Sequence, residues 1–171
     1  MAVAHTLDFL RISSDALIAL DNRTYHFALQ PYHHLIRLVH IVSVSVFFGA
    51  VVLMDFELAG VRKTLSLQAL FKNILPWLYG VFAVALVSGA MLFFYDPVHV
   101  GSHTYFSLKL MFIVLALVNA LAFRRVNYRV SATPRIATMV RIAGGISLLL
   151  WLGVMVCASL NVEAAPKVLL Q

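Results

Sequence analysis

The residues able to do chemistry gather where apolar runs meet more polar ones. His33, Arg37 and His40 are spaced four and three positions apart, so on a helix they line one stripe. His40 falls inside the run LVHIVSVSVFFGAVVLM, where an ionisable side chain is costly and usually has a partner. Neutral imidazole is an iron ligand, and an arginine above it would pair with an acidic group. A stripe of His, Arg and His descending from water into an apolar bundle suits a flat, anionic, metal-bearing ligand. Haem b is the expected one.

Depth brings further residues to the same level. His40 lies about five residues inside its run, roughly 7–8 Å from the surface at 1.5 Å per residue. Lys109 has a similar depth in the third apolar run, and Gly89 in the second, with His103 at the rim. Arg37 and Lys109 would meet propionates, and glycine and serine on facing helices would leave room for a macrocycle. His40 is the expected axial ligand, with His103, His99 or Lys109 as the second; no CxxCH attachment site is present. Copper is the alternative metal, drawing on His33, His40, His99 and His103 with Met91 or Met111 as soft donors. A cofactor-free arrangement competes with both: His40 would bond a neighbouring serine or carbonyl, and Lys109 would snorkel to the interface.

The elements that must position these residues are membrane helices. The chain of 171 residues is 62% apolar and 12% charged, with mean hydropathy +0.92. A soluble domain carries about twice that charged fraction. A membrane span needs about 20 predominantly apolar residues, and four such runs occur, near 35–54, 75–95, 105–123 and 142–161. The fold class expected is all-α integral membrane: a four-transmembrane-helix bundle over 34–161. Ahead of it, residues 1–33 form an interfacial segment whose stretch 6–21 reads as an amphipathic surface helix, with Leu7, Leu10, Leu17 and Ile18 on one side. Asn22-Arg23 reads as a break, and 162–171 as a tail. The opening residues lack the pattern of a signal peptide, so insertion is expected to rely on the spans.

The net charge of +6 reflects topology rather than nucleic acid. Arg62, Lys63 and Lys72 follow the first run, and Arg124, Arg125, Arg129, Arg135 and Arg141 follow the third, while the 96–104 loop holds no Lys or Arg. That asymmetry puts both basic loops in the cytoplasm and both termini on the periplasmic side of a bacterial inner membrane. Small residues Ser45 and Gly49 are expected to admit a neighbouring helix or ligand. Asp55 and Glu57 are expected in a solvated ion network with Arg62 and Lys63, His26 among headgroups, and Cys157 as a small buried hydrophobe.

His40-Ile41, Asp55 with Leu58-Ala59-Gly60, Pro76-Trp77, Phe106 with Lys109, and Asn119 together resemble the pattern of an uncharacterised family of four-helix bacterial inner-membrane proteins. The match covers about residues 35–125. More distantly the layout is similar to the small membrane protoporphyrinogen oxidases and to the CopD-type copper-resistance membrane domains. The oxidase likeness implies haem at His40 and Lys109; the CopD likeness implies copper. The functions in view are a haem b electron carrier serving a quinone or periplasmic redox partner, alone or within a larger complex, and a cofactor-free accessory subunit. Copper handling and a porphyrin oxidase-like enzyme stand behind them. A lipid bilayer is the expected surrounding, with homo-oligomers or membrane-complex subunits as further partners.

Overall fold

The computed structural model describes residues 11–58, 73–127 and 134–163, and every regular element among them is helical. Two short helices, α1 (Ser14–Leu20) and α2 (Arg23–Leu29), lead through a 3-10 turn (Gln30–Tyr32) into the long α3 (His33–Leu58). Then come α4 (Leu75–Tyr95), the single-turn α5 (Pro97–Gly101), α6 (Thr104–Asn127) and α7 (Pro134–Glu163). Four stretches are long and apolar enough to cross a membrane: Arg23–Leu58, Leu75–Tyr95, Tyr105–Ala122 and Thr138–Asn161. The second and third match the expected runs to within a residue, while the first and fourth enclose the expected 35–54 and 142–161 and begin well ahead of them.

Side-chain chemistry sets the helix boundaries. Ser13 caps α1 by accepting from the Ala16 N–H at 3.4 Å, and Asn22 caps α2 by accepting from the Thr24 N–H at 2.9 Å. The expected break at Asn22-Arg23 is thus the start of a second helix. Asp96 leaves the helical region, ends α4 and caps α5 through the His99 N–H at 3.1 Å. Pro134 opens α7, where its missing N–H goes unmissed.

In the bundle, α3 lies between α4 and α7, and α7 in turn packs along α6. The core joins Phe47 and Val51 of α3 to Leu78 of α4, Ala116 of α6, and Trp151 and Val154 of α7. Phe47 meets Trp151 edge-on at 4.7 Å and tilts against Phe82 at 5.0 Å. Large apolar side chains also cover the outside, among them Leu53, Val87, Leu121 and Leu149. Such a continuous apolar exterior suits hydrocarbon rather than water.

Steps of four along α3 make Ser43, Phe47, Val51 and Asp55 one buried stripe. Ser45 and Gly49 fall off that stripe and are exposed, and a Cβ on Gly49 would meet no atom within 4 Å. The small-residue pair therefore admits no helix of this bundle. Asp55 departs from expectation for the same reason: it is only 2% exposed, not solvated. Arg62 and Lys63 lie outside the described residues.

The amphipathic segment is also more anchored than its pattern implied. Only Leu17 of α1 is buried, and it presses on Gly101 of α5 so closely that a Cβ there would collide with its methyl groups. Leu7 and Leu10 lie outside the described residues. Gly101→Leu is expected to release α1, raising tryptic cleavage at Arg23 several-fold while the melting of the bundle changes little. Limited proteolysis beside a thermal melt in detergent checks both halves.

Candidate functional site

His40 is turned from α3 onto α4. Its Nδ1 lies 3.0 Å from the Ala85 carbonyl and 3.1 Å from the Ser88 hydroxyl. A carbonyl only accepts, so Nδ1 carries the hydrogen, and in the neutral ring Nε2 keeps the free lone pair. Ser88 is already committed: its O–H donates to the Val84 carbonyl at 2.7 Å, one turn back. Ser43 donates to the His40 carbonyl at 3.0 Å. Donation of one ring nitrogen to a carbonyl is the arrangement that orients a metal-ligating imidazole and fixes its tautomer.

Gly89 is here for the imidazole. A Cβ at this position would stand 2.9 Å from His40 Cε1 and 3.4 Å from Nδ1. The room that was expected to hold the edge of a macrocycle is thus filled by the histidine ring itself. Lys109 does reach the same region from α6. Its charge acts on His40 across the bundle and on Cys157 of α7, and its ammonium lies 5.0 Å from the centre of the Phe106 ring. Phe106 in turn stacks on Phe93 of α4 at 5.3 Å and 7°. Lys109 and Cys157 thus act on the His40 end of the bundle at long range, while α4 supplies the carbonyl, the hydroxyl and the glycine at the imidazole. At the same end of the α6–α7 pair, the buried Ser107 Oγ and Asn161 Oδ1 have no hydrogen-bond partner.

The other expected residues belong to different clusters. His103 lies against His99, ring centres 5.3 Å apart, within the field of Arg11. His33 stacks on Tyr95 at 4.4 Å, with Arg37 exposed beside it. His26, expected among headgroups, is tied to α4 as well: it stacks on the same Tyr95 at 4.4 Å, and its Nδ1 lies 2.9 Å from the Tyr95 carbonyl. The expected His, Arg, His stripe is thus divided, with His33 and Arg37 serving the end of α4 and His40 alone turned inward. Among the described residues no group of three or more His, Cys, Asp or Glu side chains is arranged to hold a metal ion, which leaves the copper set scattered. A groove of about 780 Å³ between α3 and α4, lined by Leu38, Val42, Val46, Trp77, Gly80 and Val84, is apolar apart from Ser43 and holds none of these ionisable groups.

Cys157 is the member that sequence reasoning passed over. The signal was its depth: it lies four residues inside Asn161, the end of its run, much as Lys109 lies four or five inside the start of α6. What the described residues represent as a class is an all-helical bundle with four helices long and apolar enough to cross a membrane. No protein-family model, curated protein or solved structure matches it.

Two predictions follow from this geometry. Gly89→Ala is expected to push the imidazole off the Ala85 carbonyl at a cost of about 1–3 kcal/mol, while Gly80→Ala, where a Cβ meets open space, is expected to be neutral or mildly stabilising. Denaturant unfolding in detergent compares them. At the rim, burial, the neighbouring His99 and the charge of Arg11 hold the His103 imidazole below the usual histidine range. The unfolded chain then takes up the proton more readily, so stability is lost as pH falls below about 6.5. His103→Gln is expected to flatten that decline in melts recorded across the acid range.

Proposed function

We propose that this chain is a multi-pass inner-membrane protein that carries haem b at His40 for electron transfer, alone or within a larger redox complex. The observation that carries the reading is the imidazole itself: Nδ1 bonds the Ala85 carbonyl, so the tautomer is set with Nε2 as the lone-pair nitrogen. Its setting supports the same view. The half-buried Lys109 ammonium offers a partner for an acidic ligand group at the same end of the bundle.

On this reading the site offers a single histidine ligand. His40 would hold the iron, Lys109 would hold a carboxylate, and Phe93 with Phe106 would bound the site on the α4–α6 side. His103, His33 and Arg37, engaged in their own clusters, stand outside this set. When bound, haem would supply one-electron chemistry, and the apolar surroundings of His40 would tune its potential. The excess of basic residues after the first and third runs supports an orientation with the His40 end facing the periplasm. An electron donor or acceptor would then approach from the lipid phase, as a quinone, or from the periplasm.

A second reading rests on one observation: the imidazole fills the space at Gly89 and satisfies its Nδ1 within the protein. On that basis the chain is a cofactor-free accessory subunit, in which His40 locks α3 to α4.

An absorption spectrum of detergent-purified protein, oxidised and then reduced, with a pyridine haemochrome assay, separates the two. Haem binding predicts a Soret band at about one haem per chain in the wild type, lost in His40→Ala and kept in His103→Ala. A colourless wild type prepared with ample haem supply, and a folded His40→Ala, would favour the accessory subunit.

A further inference from the structure

The bundle has a second buried ionisable group on α3, fifteen residues and therefore about 22 Å along the helix from His40. Asp55 is 2% exposed, and its Oδ2 is buried without any hydrogen-bond partner. The Ser147 hydroxyl on α7 is its side-chain hydrogen-bonding neighbour. Ser147 sits one turn from Trp151 on the core side of α7, so the carboxyl points between helices rather than out of them.

Among the described side chains, the groups that face Asp55 are uncharged. α4 contains no Asp, Glu, Lys or Arg over Leu75–Tyr95. On α7, Arg141 is exposed and lies six residues from Ser147, away from the carboxyl. On α6, Lys109 belongs to the His40 end. Glu57, on α3 itself, is two residues on and has its own interaction. An ionised carboxylate buried without a cation carries a desolvation penalty far larger than any one hydrogen bond returns. A neutral carboxylic acid avoids that penalty, and its O–H can donate to the Ser147 oxygen.

We infer that Asp55 is a proton-binding site, a carboxylic acid paired with Ser147 that takes up and releases a proton at the end of the bundle opposite His40. The inference is independent of the haem reading. Its ligand is the proton rather than a metal cation. Three side-chain oxygens from Asp55 and Ser147 fall well short of the six or more that hard cations such as Ca²⁺ require.

Infrared difference spectroscopy of reconstituted protein, wild type against Asp55→Asn, tests this. The expected result is a carboxylic-acid carbonyl band at neutral pH that is absent in Asp55→Asn, shifts in D₂O, and is lost as pH is raised. Asp55→Asn keeps the shape of the neutral acid and should melt within about 2 °C of the wild type, a change of at most about 1 kcal/mol. Ser147→Ala gives an independent variant, in which the same band should move to higher frequency as its hydrogen bond is lost. A wild type with only carboxylate bands at neutral pH overturns the inference, since Asp55 would then be ionised. A carbonyl band that neither exchanges in D₂O nor responds to pH overturns it as well, leaving a purely structural acid.

Discussion

A polar side chain inside an apolar bundle has to find its partner within the protein, because the surroundings supply none. Much of this structure follows from that constraint. His40 meets it by reaching across to the Ala85 carbonyl, a group already used within α4 but with a lone pair to spare. The same device recurs. Ser43 donates to the His40 carbonyl, Ser88 to the Val84 carbonyl, and Asn119 Nδ2 to the Ala143 carbonyl at 3.0 Å, joining α6 to α7. The bonds of His40 to Ala85 and of Asn119 to Ala143 join neighbouring helices in register, while the two serines are satisfied within their own helices. The apolar contacts between them, Phe47 on Trp151 and Phe112 against Gly153, then fill the space so defined.

α3 is the helix on which both halves converge. Its buried stripe is apolar in the middle, at Phe47 and Val51, and polar towards each end, at His40 with Ser43 and at Asp55. This spacing holds the two ionisable groups about 22 Å apart, too far for direct coupling through the packed aromatic layer between them. Each is served by a different neighbour: α4 bonds the imidazole and α7 the carboxyl. The two ends can therefore be altered separately, which is the reason a change at one should leave the other intact.

The short elements before α3 are tied to the His40 end by packing rather than by charge. Tyr95, the last residue of α4, stacks with both His26 and His33 at 4.4 Å, and Leu17 closes on Gly101. Aromatic stacking of this kind contributes about 0.5–1.5 kcal/mol beyond the area it buries. Among the described residues, His26, His33, His99 and His103 are thereby occupied as ring partners at the rim, and His40 is the imidazole turned onto α4.

The sequence alone determined the helical class and the four long helices, because the length and apolarity of a run are local properties and a membrane-length helix needs nothing else. It also located His40, Lys109 and Gly89 in one layer, since depth follows from counting residues at a constant rise. Rotation about each helix axis was beyond its reach. Which side of α3 faces inward depends on the helices packed against it, so Asp55 proved buried and Gly49 exposed, the reverse of what their positions suggested. The tertiary structure likewise decided that Gly89 makes room for an imidazole, that His33 and His103 belong elsewhere, and that Cys157 joins Lys109. A helical repeat of 3.6 residues gives every side chain an angle, but only the neighbouring helices say which angle points to the core.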